Sequence, residues 1–260
     1  MDATLLAALR EKRPLIHCIS NIVTANDCAN LLLAVGASPM MAQAPEEMEE
    51  ISAAAGAVVL NTGTPSGEKF AACLRAGRAA CRAGIPVVLD PVGVGASSWR
   101  LEQVQALLKE VQPSIVRVNY GEAAALLRGG QAERGVDSLP PPERDAAAAA
   151  GALARTLSAV VLLSGTEDVV TDGRNVITVS GGSSWMRSVT GAGCMLSVLC
   201  GGFSAVVATP LEGAVCAARF WKQAAALAER DAAGRGMGSF RVALFDVASR
   251  LSCGTEQLND

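Results

Sequence analysis

The stretch Thr190-Gly191-Ala192-Gly193-Cys194 sets two glycines, a hydroxyl and a thiol immediately before a long apolar run. Glycines let a backbone approach a ligand closely. A helix starting there presents N–H groups that lack intrahelical acceptors and carry partial positive charge. Such a start stabilises an anion, including a phosphoryl group in transfer. Taken alone, a G-x-G element favours a tight turn that merely opens a helix. A dinucleotide fingerprint would place it after the first strand, with an acid about twenty residues on. Here it comes late in the chain, and Glu212 is the one acid in the twenty residues after Gly193.

Two acids supply a second kind of chemistry. Asp90 opens Asp90-Pro91-Val92-Gly93-Val94-Gly95 and Glu122 closes Asn119-Tyr120-Gly121-Glu122, each directly after a short apolar run. Carboxylates at strand ends can hold Mg²⁺, often through water, beside nucleotide phosphates. Either acid could instead serve its own backbone, Asp90 as a turn cap and Glu122 as a first-turn acid favoured by the helix dipole. Combined with a glycine-rich anion site, the pair favours metal-assisted phosphoryl transfer. Cys194 falls where a helix N-terminus can lower a thiol pKa from about 8.5, which predicts a thiolate accessible near neutrality.

These residues need a frame. Short apolar runs at Pro14–Ile19, Ala57–Leu60, Pro86–Leu89, Ser114–Val118 and Ala159–Leu163 alternate with helical patterns at Thr24–Val35, Pro65–Ala83, Leu101–Val111, Glu122–Leu127 and Ala146–Leu157. This cadence predicts a parallel sheet covered on both faces, with ligands at the carboxyl ends of the strands. Val169–Thr171 and Asn175–Ser180 flank Asp172-Gly173, a two-residue hairpin signal that predicts antiparallel strands at one edge. Three more helices are expected near Gly193–Val207, Leu211–Arg230 and Phe240–Leu251. No repeat or long linker divides residues 1–260, so one domain is expected, with Pro140-Pro141-Pro142 in a surface loop.

The chain is half apolar, 18% charged and 3% aromatic, with a net charge of -3. A sizeable core of small side chains follows, while nucleic acid is disfavoured for want of a positive face. The eight cysteines form no C-x-x-C pair and the single histidine is His17, which argues against a zinc site. Most of these cysteines read as small buried hydrophobes, consistent with a reducing, cytoplasmic setting. No basic-then-apolar leader is visible, and the most apolar run, Cys194–Ala208, is too short to span a bilayer. His17 is expected to be structural, and Glu46, Glu47, Glu49 and Glu50 to form a solvated helix face. Nothing in the spacing of Trp99 and Trp185 ties them to a nucleotide base.

Nearly the whole chain resembles the hydroxyethylthiazole kinases of the ribokinase-like superfamily. The resemblance lies in His17-Cys-Ile-Ser-Asn21, Gly36-Ala-Ser-Pro-Met-Met41-Ala42, Val59-Leu-Asn-Thr-Gly-Thr64, Val88-Leu-Asp-Pro-Val-Gly-Val-Gly-Ala96, Arg117-Val-Asn-Tyr-Gly-Glu122, Gly135-Val-Asp-Ser138, Ser164-Gly165, Asp168-Val-Val170 and Val189-Thr-Gly-Ala-Gly-Cys-Met195. It implies a ribokinase-like three-layer α/β/α fold with a mostly parallel sheet and an antiparallel edge hairpin. The implied reaction is Mg-ATP-dependent phosphorylation of the primary alcohol of 4-methyl-5-(2-hydroxyethyl)thiazole, in thiamine salvage. The matching positions assign Asn21, Met41 and Gly191 to the thiazole pocket, and Arg117, Ser164, Asn119 and Thr190 to ATP. They also assign Asp90 and Glu122 to magnesium, and Gly191, Ala192, Gly193 and Cys194 to the transferring phosphoryl group and catalysis. The family pattern also implies a homotrimer with the thiazole pocket between subunits.

Cys194 stands where wider relatives usually carry an aspartate base. Val118 replaces a glycine usual in the family, which predicts a tighter approach to the nucleotide. Gly182-Ser183-Ser184-Trp185 falls where Gly-His is frequent. Two other readings compete with the thiazole kinase. One is a different enzyme on the same scaffold, a pyrimidine-alcohol kinase or a nucleotide-hydrate dehydratase. The other is a non-catalytic sensor that has kept the pocket. Cys194 and the Ser38-Pro-Met-Met41 segment favour the thiazole kinase over the first, and intact Asp90, Glu122 and Gly191–Cys194 argue against the second.

Overall fold

The structure is a computed structural model and describes residues 3–129 and 145–254. The Gly135–Ser138 match and the triple proline at 140–142 lie outside the described residues. Among the described residues, eight strands form one sheet: β1 (Leu15–Ile19), β2 (Ser38–Met40), β3 (Ala57–Asn61), β4 (Val87–Asp90), β5 (Ile115–Asn119), β6 (Val160–Ser164), β7 (Asp168–Thr171) and β8 (Val176–Val179), in the order β2-β1-β3-β4-β5-β6-β7-β8. Strands β1 to β6 run parallel, and β7 and β8 close the edge antiparallel. The middle strands read Ala-Val-Val-Leu-Asn and Val-Val-Leu-Asp and are buried throughout. Such unbroken apolar strands are what a sheet covered on both faces requires.

Among the described residues, ten α-helices supply the cover: α1 (Ala3–Lys12), α2 (Ala25–Ala34), α3 (Met48–Ala54), α4 (Gly67–Ala83), α5 (Ser98–Glu110), α6 (Tyr120–Gly129), α7 (Ala146–Leu157), α8 (Ala192–Ser204), α9 (Pro210–Asp231) and α10 (Met237–Ser252). Side chains alternate across each strand, so the sheet feeds two cores. Cys18, Val59, Val88 and Ile115 pack with α1, α2, α8, α9 and α10. Val58, Leu60, Leu89 and Val116 pack with α3 to α7. The result is the expected three-layer α/β/α arrangement. No helix among the described residues is long and apolar enough to cross a membrane.

Local chemistry explains where the helices start. Ser66 accepts from Lys69 N at 3.1 Å, Ser97 from Arg100 N at 3.2 Å and Thr209 from Glu212 N at 3.2 Å, each satisfying a first-turn amide. Two elements were not read from the sequence. Helix α1 precedes the first apolar run, and β2 is only three residues long. The edge hairpin also differs from the two-residue turn expected. Thr171 pairs with Val176, leaving the four residues 172–175 as the loop. Asp172 Oδ1 accepts from Arg174 N and Asn175 N at 2.9 and 2.7 Å, so the aspartate organises a wider turn than Asp-Gly alone would make.

Helix α8 lies deepest and carries Cys194. It packs on the sheet through Gly201, where an added Cβ would sit 2.7 Å from Val59 Cγ2 and 3.3 Å from Ile16 Cγ2. The side chains it would meet are short, buried and β-branched, and cannot swing aside. Gly201→Ala is therefore expected to lower the unfolding free energy by about 1–3 kcal/mol, read by urea denaturation.

Candidate active site

Four strand ends and the start of α8 converge at the carboxyl edge of the sheet. The register sets Asn61 directly beside Asp90, the last residues of β3 and β4. Asp90 is fully buried. Its Oδ2 accepts from Asn61 Nδ2 and from Ser197 Oγ, both at 2.8 Å, while Oδ1 lies 3.5 Å from Arg117 Nη1 and has no hydrogen-bond donor. Burial pushes the Asp90 pKa up, opposed chiefly by the Arg117 guanidinium. Arg117 in turn donates from Nη2 to Ser164 Oγ at 2.5 Å.

The glycines of the Gly191–Cys194 start have separate steric reasons. Gly191 is the N-cap of α8 with φ +85°, and an added Cβ would stand 2.5 Å from Thr24 Cγ2. A Cβ on Gly193 would stand 2.5 Å from both terminal nitrogens of Arg117. The loop thus rests on the guanidinium on one side and on Thr24 on the other, which only glycine permits. Gly193 and Cys194 are first-turn residues whose N–H groups have no intrahelical acceptor.

A cleft of about 850 Å³ opens beside this loop. It is lined by Arg117, Asn119, Ser164, Thr166, Asp168, Arg187, Gly191, Ala192, Gly193, Trp221 and Lys222, among others. Of the residues assigned to ATP, Arg117, Asn119 and Ser164 reach it, whereas Thr190 is exposed and is not part of its lining. Asn21, Met41, Asp90, Glu122 and Cys194 lie outside the lining. Asn21 and Cys194 are buried on the far side of the loop, and Met41 packs partly buried against the core.

The Asn119-x-x-Glu122 element is a reciprocal cap. Glu122 N donates to Asn119 Oδ1 and Asn119 N to Glu122 Oε2, both at 2.9 Å. The other Glu122 oxygen accepts from Gly93 N at 3.0 Å, which joins the turn after β4 to the end of β5. Both carboxylates are burial-raised in pKa. Among the described residues no group of three or more His, Cys, Asp or Glu side chains is placed to hold a metal ion. Two carboxylates with lone pairs to spare fit Mg²⁺, which keeps most of its waters and takes the rest of its oxygens from phosphates.

Cys194 is where geometry overturns an expectation. Its pKa is raised, not lowered, because burial and then the Asp90 carboxylate outweigh the helix start, against hydrogen bonds from Thr24 and Asn61. Asn61 Nδ2 donates to Cys194 Sγ at 3.1 Å. The orientation of that amide is unambiguous, since its Oδ1 accepts from Gly63 N at 2.9 Å and its nitrogen also faces Asp90. The sulfur therefore always meets a donor and is presented as an acceptor.

Asn61 and Ser197 were not assigned roles from the sequence. Ser197 is three residues beyond Cys194 on the same helix face, and Asn61 is the strand end in register with Asp90, so spacing and pairing together would have found them. Trp221 was also missed; its Nε1 donates to Ala192 O at 3.0 Å. Trp99 and Trp185 instead pack edge-on against Phe70 and Phe240, at 5.7 and 5.5 Å between centroids. Lys222 lies 3.2 Å from Asp168 and caps the carbonyls of Gly165 and Thr166. His17 is structural as expected. Its Nε2 faces Ala42 O at 3.0 Å and so donates, leaving Nδ1 to accept from Ser52. Val118 points into the core opposite Arg117, so its side chain does not crowd the cleft.

Comparisons with known proteins identify the family. Residues 6–253 match the hydroxyethylthiazole kinase family. The chain is 45% identical over 251 residues to the hydroxyethylthiazole kinase of Listeria monocytogenes serovar 1/2a, covering 96% of this chain and 93% of that one. A solved hydroxyethylthiazole kinase from Pyrococcus horikoshii OT3 superposes with a TM-score of 0.86 at 38% identity, covering 95% of this chain and 92% of that one. A ribokinase-like superfamily protein from Enterococcus faecalis V583 superposes with a TM-score of 0.66 at 11% identity, covering 96% and 95%, a likeness of fold alone. With a family match across almost its full length and 45% identity to a curated member, this chain belongs to the hydroxyethylthiazole kinase family.

Proposed function

We propose that this protein, acting as one kinase domain, transfers the γ-phosphoryl group of Mg-ATP to the primary hydroxyl of 4-methyl-5-(2-hydroxyethyl)thiazole. The product is the thiazole phosphate used in thiamine salvage. The observation that carries the reading is the start of α8, where Gly191 and Gly193 bring backbone amides to the boundary between the 850 Å³ cleft and the Asn21 side. The nucleotide occupies the cleft, with Arg117, Asn119 and Ser164 at its phosphate end. The thiazole occupies the opposite side, against Asn21, Met41 and Gly191.

Asp90 and Glu122 would hold magnesium, which supplies charge neutralisation of the triphosphate. The amides of Gly193 and Cys194 stabilise the equatorial oxygens of the group in flight, in a buried setting where dipoles act strongly. The alcohol oxygen forms the new P–O bond as the bond to the β-phosphate breaks, and the alcohol proton passes to Cys194 Sγ in the minor thiolate form, giving the thiol. Asn61 offers that sulfur as an acceptor, but its raised pKa makes the resting group a thiol. Base catalysis is therefore the smaller contribution, with alignment and charge stabilisation the larger.

A homotrimer with cytoplasmic residence completes the reading. Ile22, Val23 and Met40 are exposed apolar side chains flanking Asn21 and Met41, where a second copy would cover the thiazole side. Size-exclusion chromatography with light scattering is expected to give three times the chain mass; a monomer would sink this part of the proposal.

Incubation with Mg-ATP and hydroxyethylthiazole is expected to yield the phosphate monoester, detected by mass spectrometry. Phosphorylation of a pyrimidine alcohol in its place would transfer the assignment to that substrate class. Cys194→Ser is expected to keep measurable turnover at about one hundredth of wild type, within the usual range for removing a general base. Complete loss with nucleotide binding intact would make the thiol indispensable.

A further inference from the structure

Lys69 is the third residue of α4, behind its N-cap Ser66. A cap of this kind is commonly completed by Glu or Gln at that position, and a cation in the first turn opposes the helix dipole. Lys69 is also buried, 6% exposed, and burial pulls its pKa down. Local helix energetics therefore disfavour this residue twice over.

Its ammonium turns away from the helix and bridges two strand-end turns. Nζ donates to Ser20 O at 2.6 Å, to Gly63 O at 2.7 Å and to Thr64 Oγ1 at 3.3 Å. These three acceptors match its three N–H donors, and none is a carboxylate. The turns it joins are unusual. Thr64 is a β-branched residue at φ +46°, a conformation held only where surrounding contacts over-determine it. Those contacts are the Lys69 bond, the Thr64 hydroxyl to Gly63 O at 2.8 Å, and Ile22 N to Thr64 Oγ1 at 3.2 Å. Asn21 lies against Gly63, where an added Cβ would be 2.5 Å from Asn21 Nδ2.

We propose that Lys69 is a positioning residue for the acceptor alcohol. Its ammonium ties the Ser20–Asn21 turn to the Gly63–Thr64 turn and so sets where the Asn21 amide stands. This rests on the reading of Asn21 as a thiazole contact. Lys69 is not part of the lining of the nucleotide cleft, so its removal acts on one substrate and not on the other.

The test is Lys69→Met, which keeps chain length and apolar volume while deleting all three donors. The KM for hydroxyethylthiazole is expected to rise about tenfold or more, with kcat and the KM for ATP changed less than about threefold, the pattern of lost ground-state positioning. A crystal structure of the variant is expected to show Thr64 released to negative φ and Asn21 displaced from Gly63. An unchanged KM for the alcohol overturns the proposal, as does an equal rise for both substrates. Should wild type form no phosphate ester, the functional reading fails, and the position of Thr64 and Asn21 in the variant still decides the clamp. If Lys69→Met does not fold, Lys69→Gln, which retains two donors on a shorter stem, takes its place under the same outcomes.

Discussion

The buried pair of Asp90 and Arg117 is the constraint around which the site is organised. A carboxylate removed from water requires a cation and hydrogen-bond donors close by, and here they come from three other elements. Asp90 ends β4, Arg117 lies in β5, Asn61 ends β3 and Ser197 belongs to α8. One charge thereby locks three adjacent strands and the deepest helix into a single arrangement. Because the guanidinium occupies the space that a side chain at residue 193 would need, the pair also dictates glycine there and fixes how close the α8 amides come.

From that arrangement follows a division of labour. The start of α8 is a partition, with Gly193 against Arg117 on the cleft side and Gly191 against Thr24 on the other. Groups for a polyanion gather on one side: the guanidinium, first-turn amides and the capped turns held by Glu122. On the other side Asn21, Thr24 and Cys194 are buried. In the proposed reaction the phosphoryl group crosses at the partition, where the dipoles are already oriented. Lys69 extends the logic outward, bracing a strained turn with a cation that its own helix disfavours.

Cys194 illustrates how position and environment can oppose each other. Its place in the first turn argues for an acidic thiol, and its burial beside Asp90 argues more strongly for a protonated one. Helix-start effects are screened and fade within a turn, whereas desolvation acts on the whole side chain. The thiol is consequently an oriented acceptor in waiting rather than a standing anion.

Much of the fold was legible because the middle strands are uninterrupted apolar runs bounded by turn residues and followed by capped helices, signals that act over a few residues. Helix α1, the three-residue β2 and the width of the Asp172 turn were not, since each depends on partners distant in the chain or on one side-chain hydrogen bond. In the site, the glycine-rich start and the two strand-end acids stood out by type and position, but each also had a purely structural reading, and Glu122 does cap its own turn. By itself the sequence determined the α/β order, the anion-binding helix start and the family. Only tertiary structure decided that Asn61 and Ser197 hold Asp90, that Arg117 lies beneath the loop, and that Lys69 joins two turns. Those facts depend on strand register and through-space burial, which set charge and hydrogen bonding between residues that no local spacing connects.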